Sequence, residues 1–188
     1  MSGGTAVAFA IGLPLFGTIL ILLNDRYPNI REGITITTSI CLALVVFGLV
    51  PEVTSGGRPG FVLAEIVPGL PIAFKVEPLG MLFAMVASGL WVVTSIYAIG
   101  YMRSHHEVQQ TRFYACFAIA ISSAMGICFA GNLLTLFIFY EVLTISTYPL
   151  VTHSESKDAV KAGRTYLGIL IGTSVAFLLL AIIWTWFL

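Results

Sequence analysis

The chain has 188 residues, 58% of them hydrophobic and 10% charged, with a mean hydropathy of +0.98. A water-soluble domain of this size cannot carry that much apolar surface, so lipid is the solvent for most of it. Formal net charge is zero and no Lys/Arg cluster interleaves with aromatics, which excludes the electrostatic footprint of nucleic-acid binding.

A bilayer core of about 30 Å takes roughly 20 apolar residues per helix. Six windows between polar breaks meet that requirement, at 5–23, 34–51, 79–102, 113–131, 133–152 and 163–187. The expectation is an all-α integral membrane protein, a single membrane domain over 1–188. Met1-Ser2-Gly3-Gly4 offers no basic stretch and the apolar run after it is too long for a cleaved signal, so it is expected to stay as the first membrane helix. Connection 52–77 is different in kind. Its two apolar stretches flank Pro68-Gly69, which predicts a β-hairpin at about 61–76 on the extracytoplasmic face. Glu77-Pro78 then suits the start of the third helix, an acid at its positive end and Pro at its first position.

The fourth and fifth helices are separated only by Gly131-Asn132, which predicts a tight turn. Small residues recur at helical spacing on two helices: Ala118, Ser122, Gly126 and Ala130 on the fourth, Gly168, Gly172 and Ala176 on the sixth. Such stripes let backbones approach closely in lipid, so both are expected to be packing seams. Cys41, Cys116 and Cys128 lie inside apolar runs without metal-site or disulfide spacing and are read as packing residues.

Positive charge is retained on the cytoplasmic side, and it divides seven to two here. Arg26, Arg31, Arg103, Arg112, Lys157, Lys161 and Arg164 lie at the first, third and fifth connections, Arg58 and Lys75 on the other side. Both termini are therefore expected outside a cell (inner or plasma) membrane. His105-His106 is read as a solvated loop pair rather than a haem site.

Glu141 is the residue that invites chemistry. It stands in the middle of the fifth apolar helix, deeper than any other acid or base in the chain. Insertion scales charge roughly 2.5–3.5 kcal/mol for an Asp, Lys or Arg at a helix centre, so such a carboxyl is expected to face the bundle interior or a water-filled cavity. Low dielectric disfavours the charged form of a carboxyl, which suits a proton relay. Thr144, Tyr148 and Thr152 follow near helical spacing and extend a polar stripe toward His153 at the cytoplasmic end. Lys161 and Arg164, early in the sixth helix, are candidates for tuning the glutamate through charge; Lys157 is read as an interfacial anchor. Pro149 is expected to kink the fifth helix past Glu141.

Several stretches together resemble a known family. They are Val76-Glu77-Pro78-Leu79-Gly80-Met81-Leu82-Phe83, Tyr97-Ala98-Ile99-Gly100-Tyr101-Met102, Phe139-Tyr140-Glu141-Val142-Leu143-Thr144, Tyr148-Pro149-Leu150-Val151 and Ala162-Gly163-Arg164-Thr165-Tyr166-Leu167. The chain resembles, from about Pro68 onward, the antiporter-like subunits shared by respiratory complex I, Mrp-type multisubunit cation/proton antiporters and membrane-bound hydrogenases. The resemblance implies that Glu141 is the family's fifth-helix glutamate, a member of a buried charged axis that moves protons. The family's usual lysine in the sixth helix is replaced here by Thr165, or displaced to Arg164. Family members look like fourteen-helix proteins with two inverted repeats. Their lysine partner for the glutamate sits on a broken seventh helix, which falls beyond Leu188.

The functional expectation is proton, or coupled cation/proton, translocation as the N-terminal part of an antiporter-like subunit in a multisubunit complex. The ions are protons, exchanged or not for Na⁺ or K⁺. Partners are other membrane subunits of an antiporter, hydrogenase or complex I-like assembly, including a chain that supplies the missing helices. The chain is not expected to be catalytic alone, and no cofactor or metal is called for. The alternative is a structural or assembly subunit without transport activity of its own.

Overall fold

A capping residue or proline ahead of an apolar run sets where several of the helices begin. The computed structural model describes residues 2–67 and 69–187; the Pro68 half of the expected Pro-Gly turn lies outside them, as do Met1 and Leu188. Ser2 caps α1 (Gly3–Leu23) by accepting from Thr5 N, and Pro28 occupies the first turn of α2 (Pro28–Thr54). A two-stranded antiparallel sheet follows, β1 (Gly60–Val67) on β2 (Leu70–Lys75), pairing Gly60 with Lys75 and Val67 with Leu70. Then come α3 (Pro78–Ser104), α4 (Gln110–Cys128), α5 (Leu133–Val151) and α6 (Lys157–Thr173). A π-helical segment, Ser174–Leu179, joins α6 to α7 (Leu180–Phe187). The last three make one continuous span, and the described residues contain six helices long and apolar enough to cross a membrane.

Two helices start well before their predicted positions. Helix α2 begins at Pro28 rather than 34, and α6 at Lys157 rather than 163. Hydropathy marks only the part of a helix that lies in hydrocarbon. Polar turns beyond it stay helical when a proline or an N-cap starts them, and here Pro28 and Ser156 do so. Pro149 lies inside the last turn of α5 without ending the helix.

Helix α1 packs between α2 and α4, α3 lies against α2 and α4, and α5 connects α4 to the last span. The interior is built from residues such as Val7, Ala10, Leu42, Val46, Ala84, Trp91, Ala118 and Met125, all fully or almost fully buried. Large apolar side chains such as Phe16, Leu44, Val93 and Phe177 point outward. That arrangement suits a lipid surround, which satisfies apolar surface on the outside and leaves close packing to small residues within.

The seam on α4 forms as expected. Ser122 Oγ donates to the carbonyl of Ile11 at 2.7 Å, and a Cβ at Gly126 would meet the Phe139 ring at 2.1 Å, so α1 and α5 both approach through this stripe. The seam on the sixth span does not pack within the described chain. Gly168, Gly172 and Ala176 are exposed, and a Cβ on either glycine would find nothing within 4 Å. Spacing identifies a smooth face but not whether a neighbour covers it.

The sheet is anchored rather than free-standing. Gly131 N donates to Ala73 O, Lys75 N to Phe129 O, Ala73 N to Thr135 Oγ1, and Asn132 Nδ2 to Pro71 O, all at 2.7–3.0 Å. Asn132 also caps α5 through Thr135 N at 2.8 Å. The tight α4–α5 turn thus docks along β2. Outside the membrane spans, Lys75 hydrogen-bonds the Glu77 carboxyl and, with Arg58, holds it below the usual carboxylate range against a smaller opposing effect of burial.

Gly80 lets α3 approach α4 closely, since a Cβ there would lie 1.9 Å from the carbonyl oxygen of Cys128. Gly80→Ala is expected to destabilise the bundle by about 1–3 kcal/mol, the usual cost of overpacking. Gly168→Ala should leave stability unchanged or raise it slightly by helix propensity. Thermal unfolding of the two variants in one detergent checks the contrast.

Candidate functional site

Glu141 is the ninth of nineteen residues in α5, so neither end of the helix brings it to water. The side chain turns toward the last span, where Ser174 Oγ donates a close hydrogen bond to Oε1. Ser174 is buried and is the first residue of the π-helical segment. Among the described residues, no Lys, Arg or His forms an ion pair with Glu141.

The serine suits both protonation states of the acid. Its hydroxyl carries one proton and has two acceptors, Glu141 Oε1 and the Ile171 carbonyl at 3.0 Å. Against a carboxylate, Ser174 donates to Glu141. Against a protonated carboxyl, the serine accepts from Glu141 and turns its own proton to Ile171. A rotation of one hydroxyl therefore accommodates the loss or gain of a proton without moving a helix. π-Helical turns recur where a helix is opened for function, and this one presents Ser174 at the depth of the acid.

The polar stripe below Glu141 is less continuous than its spacing suggests. Thr144 Oγ1 donates to Tyr140 O at 3.0 Å and Thr152 Oγ1 to Tyr148 O at 2.9 Å. Both hydroxyl protons are thus committed to their own helix, a habit of Ser and Thr in apolar helices. Tyr148 packs beside Gly163, its ring 3.1 Å from where a Cβ on that glycine would stand. His153 follows the end of α5, its Nε2 3.8 Å from Glu107 Oε2 and its ring edge-on to Phe113. Neither ring nitrogen has a hydrogen-bond partner among the described residues.

Lys161 and Arg164 are exposed and line a groove with Glu155 and Lys157. Arg164 precedes Ser174 by ten residues, roughly 15 Å along a helix axis, and Lys161 by thirteen, roughly 20 Å. The fold brings neither to Glu141. Thr165, at the position where the resemblance calls for lysine, donates to Lys161 O within its own helix.

A second polar cluster lies where the α1–α2 and α3–α4 connections meet. Glu32, with a side chain 5% exposed, accepts from Arg103 Nε at 3.1 Å and from Arg103 Nη2. Beside it, buried Arg31 donates to Thr111 Oγ1 and Gln110 Oε1, both at 2.7 Å, with its guanidinium 5.4 Å from the centre of the Tyr114 ring. Arg112 pairs with Glu155 at the α5–α6 connection. Sequence reasoning missed both Ser174 and Glu32. Nothing in a single sequence sets the register of one helix against another, which is what selects Ser174. Glu32 had a signal, an acid directly beside Arg31 at the edge of an apolar run.

Residues 68–114 match the family described as the NADH-ubiquinone oxidoreductase (complex I) chain 5 N-terminus. The chain is similar to subunits of cation/proton antiporters and of quinone oxidoreductases. It is 26% identical over 166 residues to the A/B component of a probable K(+)/H(+) antiporter of Rhizobium meliloti (strain 1021), covering 83% of this chain and 16% of that protein. It is 25% identical over 176 residues to the D component of a probable K(+)/H(+) antiporter of the same organism, covering 89% of this chain and 31% of that one. A chain in the structure of the membrane-bound sulfane sulfur reductase, an archaeal respiratory membrane complex, superposes with a TM-score of 0.77 at 20% identity, over 93% of this chain and 26% of its own length. The chain thus spans under a third of each of these three proteins.

The buried cluster yields a stability prediction. Glu32→Gln leaves Arg31 and Arg103 without their shared anion and is expected to cost about 3 kcal/mol, the lower end for breaking a buried pair because Arg103 is half exposed. Arg103→Ala should destabilise in the same direction, and the double variant should lose less than the sum. Strict additivity in a thermal-unfolding cycle would contradict the pairing.

Proposed function

We infer that this chain takes part in proton translocation, alone or coupled to a cation, within a multisubunit membrane complex, and that Glu141 accepts and releases the proton. The observation that carries this reading is the carboxyl itself. It lies mid-helix, paired with no base among the described residues, and hydrogen-bonded to Ser174, a hydroxyl that can serve either form of the acid. The relatives named above as antiporter components support an ion-moving role of this general kind.

On this reading Ser174 holds the acid in either protonation state, and the proton leaves toward His153 and Glu107 through water beside Tyr148 rather than through the threonine hydroxyls. A basic group from further helices, in the same polypeptide or a neighbouring subunit, faces Glu141 and alternates its charge. The exposed glycine stripe on the last span, Gly168 and Gly172, offers a smooth face for such a neighbour. The seven-to-two division of Lys and Arg supports a cell-membrane orientation with the hairpin extracytoplasmic and both ends of the 1–188 segment on that side. Lys161 and Arg164 then act as interfacial charges that attract anionic lipid or set the local potential.

A second reading, a structural or assembly role without transport, draws support from Thr165 standing where the resemblance calls for a lysine. Flux separates the two. At equal complex abundance in membrane vesicles, Glu141→Gln is expected to reduce proton-coupled flux at least tenfold, Glu141→Asp less, and Ser174→Ala severalfold. Unchanged flux in Glu141→Gln, with dispersal of the complex only on deletion of the chain, would instead establish the assembly role.

A further inference from the structure

The geometry points to a binding site for one ordered water molecule inside the bundle, between α3 and α4, held by Trp91, Ser95 and Tyr114. These side chains are 1%, 3% and 3% exposed. Trp91 Nε1, Ser95 Oγ and Tyr114 Oη are all shielded from solvent, and none has a hydrogen-bond partner among the described residues. All three residues line the same small cavity, together with Thr35, Thr94, Ala98, Phe113 and Phe117.

An isolated orphan would prove little, but three converging on one space are specific. Trp91 and Ser95 are one turn apart on one face of α3, and Tyr114 reaches in from α4. Their chemistry is complementary to water. The indole N–H only donates, so its partner must accept; the serine and tyrosine hydroxyls both donate and accept. A water accepting from Trp91 and bonding both hydroxyls satisfies all three groups and stays within its own four hydrogen bonds.

Size agrees with this occupant. The cavity measures about 20 Å³, and a site needs roughly 10–15 Å³ on this measure, with two to four polar partners, to hold a water. It is too small for a lipid chain or an organic ligand. In a bilayer these polar groups have no bulk water to fall back on, so an internal partner is required. The site does not depend on the ion-moving role of Glu141. It ties α3 to α4 by polar contacts, next to the Tyr114 ring on which Arg31 rests.

The test is a cryo-electron microscopy map of the intact complex at a resolution that shows ordered waters. The expected result is a discrete peak within hydrogen-bond reach of Trp91 Nε1, Ser95 Oγ and Tyr114 Oη. An empty cavity in a map that resolves buried waters elsewhere, or direct hydrogen bonds among the three side chains, would overturn the assignment. In the Ser95→Ala, Tyr114→Phe double variant the cavity becomes nearly apolar and the peak should vanish. A peak that persists there would mean that these groups do not hold it.

Discussion

In hydrocarbon a polar group must find its partner within the protein, and most of this structure follows from that requirement. Backbone groups are satisfied inside helices, and Ser and Thr hydroxyls turn back to carbonyls of their own helix, as Thr18 does to Pro14 O and Thr94 to Leu90 O. What cannot be satisfied locally has to be matched across helices. Ser122 bonds Ile11 O, Arg103 and Arg31 surround Glu32, and Ser174 bonds Glu141. These few long-range polar contacts specify which helix faces meet, because apolar side chains gain little from choosing one another over lipid.

Glu32 and Glu141 answer the requirement in opposite ways. Glu32 is matched by two guanidinium groups at the end of the bundle, where Arg103 remains half exposed. Glu141 has a neutral hydroxyl for a partner and lies near the centre of its helix. A carboxyl bound by two guanidinium groups ties helices together, whereas one held by a hydroxyl keeps a hydrogen-bond partner in either protonation state. The contrast assigns Glu32 to architecture and makes Glu141 the candidate for chemistry.

Much of the architecture was legible in the sequence. Runs of apolar residues marked the six spans, and Pro-Gly between apolar stretches marked the two-stranded sheet. Capped polar turns were not, because hydropathy is blind to a helix that continues into water, as α2 and α6 do. At the site, depth alone singled out Glu141. Its neighbours were harder: the stripe of Thr144 and Thr152 obeys helical spacing, yet those hydroxyls are committed to their own backbone, while Ser174 comes from another helix. Periodicity reports which residues share a face and says nothing of the rotamer each adopts or of the face opposite. The same limit applies to the small-residue stripes, which look alike in sequence although only that on α4 is covered within the described chain.

If Glu141 carries the proton, its carboxyl must change protonation while ions move. Isotope-edited infrared difference spectroscopy of the intact complex, with and without a driven ion gradient, reads that change at the group itself. The expected signal is a carboxyl C=O band that rises and falls with turnover, shifts in Ser174→Ala and is missing in Glu141→Gln. A Glu141 band that stays constant through turnover would contradict the proton-carrier role.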